Sequence, residues 1–180
     1  MGRVLFGVPQ DGGRAMIALA NDTRVRSHNA SRLQVIIRSG VMQRIMSSIG
    51  ARPAEAGGVL LGPKDSREIT HFHFDQGAVC SGTTYSPDYQ GLGSLMRNEW
   101  TPRGLDMKGM IHSHPSSAQR LSQGDLVYIR RLLAANPDMD RFIAPIVLPS
   151  RFRLEVFVVL REQVHCPHAA RLVISQDQIN

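Results

Sequence analysis

The sequence predicts a single α/β domain with helices packed on a sheet. Three observations point there. Apolar residues recur at helical spacing in three segments, led by Val41, Ile45 and Ile49, by Leu92, Leu95 and Met96, and by Leu126, Ile129 and Leu133. Between them lie short alternating or continuous apolar runs, the pattern of strands. At 180 residues the chain has the length of one domain and can bury about 70% of its unfolded surface without staples.

Taken in order, the apolar runs 3–9 and 15–20 flank Gln10-Asp11-Gly12-Gly13, which suggests a hairpin, so residues 1–30 are expected as an N-terminal extension ending in a polar linker. Leu33, Val35 and Ile37 alternate as a strand, and Ser39-Gly40 opens the first helix, with Met42 and Met46 as core packing beside its apolar stripe. Ala51 to Ala54 close it. Gly57 to Gly62 form a short buried strand, and Glu68 to Asp75 a second, with Thr70, Phe72 and Phe74 opposite Ile69, His71 and His73. Residues 77–106 mix glycine, polar and aromatic residues. Ser86-Pro87-Asp88 starts a helix there, which serves as a substrate wall or simply as core. Met107 to His114 is a strand, and Ser122 to Ala135 a helix stopped by Asn136-Pro137. Arg141 to Leu148 and Arg153 to Leu160, joined by Pro149 to Phe152, suit a hairpin buried on both faces. Residues 163–180 read as a tail or the start of a further segment.

The chemistry concentrates in Gly109-Met-Ile-His112-Ser113-His114-Pro115 followed by Ser122-Gln-Gly-Asp125. Side chains alternate along a strand, so His112 and His114 share a face with Cα atoms about 6.5 Å apart, while Ser113 points to the opposite face in a structural role. Pro115 ends the strand. Ser122 suits the N-cap of the helix, and Asp125 falls at N3, where the dipole and free N–H groups favour a carboxylate. Two imidazoles and one carboxylate converging on a point, with a fourth position left to water, describe a catalytic zinc; structural sites are commonly closed by four ligands rich in Cys, and no Cys is near. His71 and His73 form a second His-x-His but have no Ser-x-x-Asp helix behind them. His165, Cys166 and His168 belong to the tail rather than to a second metal site. A general base is also required, and Glu55, Asp65, Glu68, Glu99 and Asp106 all remain available.

His112-Ser113-His114, a seven-residue gap and Ser122-x-x-Asp125 resemble the signature of the JAMM (JAB/MPN) metallopeptidases, and Glu55-Ala-Gly-Gly-Val-Leu-Leu-Gly62 is similar to the glutamate segment that enters their first core strand. The likeness spans roughly residues 38–160. It implies an MPN domain, cytidine-deaminase-like, with a central mixed sheet flanked by helices, over residues 31–162. It further implies Zn2+ on His112, His114 and Asp125, Glu55 as general base and then acid to the leaving amine, and Ser122 as donor to the oxyanion. The substrates implied are amide bonds after the C-terminus of a ubiquitin-like protein. Deconjugation or precursor processing would then take place beside activating-like and conjugating-like enzymes of a bacterial antiphage system. Processing of a sulfur-carrier protein and a non-catalytic MPN scaffold are the alternatives, and a scaffold is expected to lack one or more of the five residues. The DNA-associated RadC proteins share the fold but carry Asn where this chain has Ser113.

Composition narrows the partners. The net charge is +6, and nearly all basic side chains are Arg, a bias that accompanies GC-rich bacterial genomes. The arginines are scattered without a basic helix or aromatic platform, so no nucleic-acid partner is expected. Two cysteines are too few for a disulfide framework, and no run approaches the roughly 20 apolar residues of a membrane span. A cytoplasmic protein without a membrane partner is the expectation.

Overall fold

The computed structural model describes residues 33–52, 55–82, 84–115 and 118–177. The expected N-terminal hairpin and linker lie outside them. Strand β1 (Gln34–Arg38) leads into helix α1 (Ser39–Ser48), and β2 (Gly57–Pro63), β3 (Glu68–Ile69) and β4 (His71–Phe74) follow. The small hairpin β5 (Val79–Cys80) and β6 (Tyr85–Ser86) precedes α2 (Tyr89–Leu95), which runs on through a π turn at Met96–Trp100 and a 3-10 turn to Gly104. Next come β7 (Leu105–Ser113), α3 (Gln123–Ala135), β8 (Arg141–Ile143), β9 (Ile146–Leu148), β10 (Arg153–Glu155), β11 (Phe157–Leu160), β12 (His168–Ala169) and β13 (Arg171–Ser175).

The architecture is mixed α/β. Central β7 pairs antiparallel with β2 and parallel with β8 and β9. Helices cover both faces. Leu60 and Ile111 point to the layer of α1, where they meet Val41, Ile45 and Ile49; Val59 and Leu61 point to the layer of α2 and α3, where they meet Leu92, Trp100, Ile129 and Leu133. Burial on both faces is why β2 is an unbroken apolar run.

One irregularity in β7 decides which way the histidines face. Its register against β2 shifts between Leu60 and Leu61, so that Leu60 faces Gly109 and Leu61 faces Met107. The extra residue, Lys108, reverses the alternation, and Met107 and Met110 both join the α3 layer. From Met110 onward the even positions face α3, which brings His112 and His114 over the start of that helix. Gly109 is required beside the bulge. A Cβ there would lie 1.8 Å from the carbonyl oxygen of Ile143 on β8.

The segment 68–75, expected as one strand, is two. β3 pairs with β1 and β4 with β2, and Thr70, at the corner between the sheets, donates its N–H to Leu61 O at 3.0 Å. The hairpin 141–160 is likewise interrupted, at Ala144-Pro145 and at Val156; Pro145 has no N–H for a ladder, but its carbonyl accepts the N–H of His112 at 3.4 Å.

Where a tail or the start of a further segment is expected, residues 163–177 carry two strands. β12 extends the main sheet beside β11, and β13 lies parallel to β1 over five register pairs. These strands were hidden because β13 alternates weakly, with none of its residues fully buried. Beyond β13, Asp177 accepts from the Gly40 N–H and the Ser39 hydroxyl, both at 2.9 Å, and so caps α1, whose own N-cap residue Arg38 supplies no side-chain bond.

Arg38 and Ser175 both donate to the Glu68 carboxylate, at 3.2 and 2.6 Å, linking β1, β3 and β13. The Ser175 bond, then the Arg38 bond, holds that carboxyl below its usual range. A depressed folded pKa contributes stability above the unfolded value of about 4.3 and loses it as pH falls through the folded one. Acid-induced unfolding of Glu68→Gln should therefore show a shallower dependence on pH below about 4.3 than the wild type. Equal slopes would remove Glu68 from the acid response.

Candidate metal centre

Three of the predicted residues are buried side chains at the end of β7 and ahead of β2: Glu55, His112 and His114 are 8%, 8% and 5% exposed. Their ligand atoms lie within 4.8 Å of one another. Asp125 reaches the same point from the first turn of α3. The Nε2 atoms of His112 and His114 are 2.7 Å apart, and the Asp125 oxygens lie 3.3 Å from the first and 3.6 Å from the second.

Local chemistry sets each of these. Gly57 pairs with His112 across the ladder, so the residues just before β2 lie beside the end of β7. Ser113, on the reverse face, clamps them. Its hydroxyl accepts the Ala56 N–H at 2.9 Å, and its own N–H donates to Ala56 O at 2.8 Å. That fixes the backbone next to Glu55. Ser113→Ala should leave the buried Ala56 N–H without its acceptor, at about 1–3 kcal/mol, and displace Glu55. Thermal melts of the variant check the cost, and a loss of less than half a kilocalorie would mean the clamp is dispensable.

His114 donates Nδ1–H to Ala118 O at 3.0 Å, a bond that places the lone pair on Nε2, facing His112 and Asp125. Asp125 and Ser122 form a reciprocal capping box. The Ser122 N–H donates to Asp125 Oδ2 at 2.6 Å, and the Asp125 N–H donates to Ser122 Oγ at 3.1 Å. Ser122 is exposed, and since its oxygen is used as an acceptor, its proton stays available to donate outward.

Electrostatics favour a cation here. Burial pushes the Asp125 carboxyl up, but the neighbouring His112 and His114 imidazoles and Ser122 outweigh it and hold the group far below its usual range, hence anionic. His114 is pushed down by burial and raised, on balance, by Asp125 and the Ala118 carbonyl. Glu55 is raised by burial, against the lowering pull of His112 and His114. In tetrahedral zinc with bonds of about 2.1 Å the ligand atoms are roughly 3.4 Å apart. The nitrogens are 2.7 Å apart, with Asp125 Oδ1 3.3 Å from one and Oδ2 3.6 Å from the other, separations of the same order, so the donor types and spacing of this His, His, Asp set suit a metal of this kind. Glu55 lies within reach of the same point and offers a second carboxylate there.

The remaining candidates part company. His71 accepts or shares a proton with the Thr70 hydroxyl at 2.8 Å, and His73 packs edge-on against Trp100 at 5.1 Å. His168 contacts Gln163, and Cys166 is exposed. Among the described residues none of these joins the group formed by Glu55, His112 and His114, to which Asp125 is adjacent. A cavity of about 540 Å³ opens near the start of β7 and the end of α3, away from these residues; its four Lys or Arg and four Asp side chains cancel in charge. The helix from Tyr89 contributes Leu92, Met96 and Trp100 to the core, and Tyr89 meets Tyr128 of α3 at 5.8 Å.

Two neighbours escaped the sequence reading. Tyr85 stacks beside the His112 ring in an offset arrangement, with centroids 5.9 Å apart and planes 14° from parallel, and its hydroxyl donates to buried Asp75 at 3.0 Å. Nothing in the local pattern around either residue marks it, because their proximity to His112 comes from the β4–β6 excursion.

A family model described as prokaryotic homologs of the JAB domain matches residues 39–164. Among solved structures, a protein of Desulfitobacterium hafniense determined in solution is similar in fold: it is 19% identical, covers 79% of this chain and 93% of its own, and gives a TM-score of 0.56. A JAB1/MPN domain protein from Archaeoglobus fulgidus is 21% identical over 77% of this chain and 96% of its own, with a TM-score of 0.44. No curated protein matches.

Proposed function

The chain belongs to the prokaryotic homologs of the JAB domain, and from that premise we propose that it is a zinc-dependent peptidase or isopeptidase cleaving after the C-terminus of a ubiquitin-like protein. The convergence of His112, His114 and Asp125 on one point, with buried Glu55 beside it, carries this reading. Nε2 of each histidine and the Asp125 carboxylate would hold the metal. When bound, zinc supplies a Lewis acid and brings the pKa of a coordinated water to about 7.

This chain's own groups supply the proton transfers. Glu55 takes a proton at its carboxylate and returns it to the departing amine, a role suited by a buried carboxyl titrating above the usual range. Ser122 donates its hydroxyl proton to the oxygen of the scissile carbonyl while its oxygen remains the helix cap. The Ala118 carbonyl fixes the His114 ring through its Nδ1–H.

A protein of the cytoplasm, acting beside activating-like and conjugating-like enzymes of a bacterial defence system, is the setting we propose. No helix among the described residues is long and apolar enough to cross a membrane. The test is cleavage of ubiquitin-like proteins joined through their C-terminal glycine to a reporter, by peptide and by lysine linkage. Release that a chelator stops and zinc restores is expected. Intact fusions across a panel of such proteins, with zinc-loaded enzyme, would overturn the assignment.

A further inference from the structure

The two histidines at the candidate site are held in different ways. His114 has a hydrogen bond at Nδ1, the usual device for fixing a metal-binding imidazole. Among the described residues no such bond reaches Nδ1 of His112. Its ring is instead flanked by Tyr85 in an offset, nearly parallel stack with centroids 5.9 Å apart. Tyr85 is itself immobilised: its hydroxyl donates to Asp75 Oδ2 at 3.0 Å, and the same oxygen accepts the Asp88 N–H at 3.0 Å, at the cap of α2. The Tyr85 ring also occupies space that only glycine leaves free. A Cβ on Gly57 would lie 2.5 Å from Tyr85 Cζ and 2.9 Å from Ile111 O. His112 is thus gripped by a ring that is slotted over Gly57 and tethered to Asp75.

We propose that Tyr85 is a positioning residue for the metal centre, setting the rotation of the His112 ring by stacking so that Nε2 points at the site shared with His114 and Asp125. The inference rests on the metal-centre reading above and extends it to a residue that is not itself a ligand. A ring held by packing has its χ angles restricted without donating a hydrogen bond, and His112 then meets the metal with little reorganisation. Gly57 and Asp75 serve the same end, one by making room and the other by anchoring.

The test measures the metal rather than turnover. Cobalt and zinc affinities, by competition with a chromophoric chelator, and the visible spectrum of the cobalt form are compared for wild type, Tyr85→Phe, Tyr85→Leu and Gly57→Ala, each verified as folded by circular dichroism. Tyr85→Phe keeps the stacked ring but loses its tether to Asp75, so it should weaken binding less than Tyr85→Leu does and leave the cobalt bands closer to those of wild type. Tyr85→Leu should weaken binding about 10- to 100-fold, the usual cost of losing an outer support, and alter the cobalt bands. Gly57→Ala, which pushes the ring out while retaining the tyrosine, should reproduce that change; it stands in if Tyr85→Leu does not fold. Should folded Tyr85→Leu or Gly57→Ala bind cobalt as tightly as wild type with an unchanged spectrum, the positioning role fails while the metal centre stands. A wild type that binds neither metal would instead defeat the metal-centre reading itself.

Discussion

Glu55→Gln should lower kcat about 100- to 10,000-fold while leaving metal affinity within a few-fold of wild type. The prediction follows from position and charge. Glu55 is buried next to the two histidines yet enters from the loop before β2, while Asp125 supplies the carboxylate closest to their nitrogens. Gln preserves shape and removes the ability to take a proton. Measuring zinc affinity and kcat on one preparation separates the two outcomes. If zinc is lost together with activity, Glu55 is a ligand, and the cluster it forms with His112 and His114 is the metal set in place of the one containing Asp125.

Asp125 carries two duties, and two substitutions separate them. Its carboxylate faces both imidazoles and also accepts the Ser122 N–H at the start of α3. Asp125→Ala removes both, so activity should fall to background, zinc binding should be lost, and the metal-free protein should lose about 1 kcal/mol from the cap, or roughly 2–4 °C in Tm for a chain of this size. Asp125→Asn keeps a side-chain oxygen for Ser122 but no charge. Its metal-free form should melt within about a degree of wild type, while zinc binding still collapses. Chelator competition and thermal melts of the metal-free proteins check both claims. Normal zinc affinity in Asp125→Asn would exclude Asp125 as an anionic ligand.

What was legible in the sequence is what is local. Alternation put His112 and His114 on one face and Ser113 on the other, and the Ser122-x-x-Asp125 spacing gave the capping box that the structure contains. Glu55 was one carboxylate among several by residue chemistry alone and was singled out only through the resemblance, because it is brought to His112 by a ladder between segments 57 residues apart. The bulge at Lys108 left no mark in the sequence: it depends on how β2 and β7 register, a property of two strands together. The same holds for Tyr85, which reaches His112 through tertiary packing, and for β13, a parallel partner of β1 from the far end of the chain. The break at Thr70 was invisible because alternation continues through a residue that changes sheets.

The most direct test of the metal centre is metal content by mass spectrometry on purified wild type, His114→Ala and Glu55→Gln. One zinc per chain is predicted for the wild type and for Glu55→Gln, and none for His114→Ala. A wild type that stays metal-free after incubation with zinc, or a His114→Ala protein that keeps a full equivalent, would contradict the account.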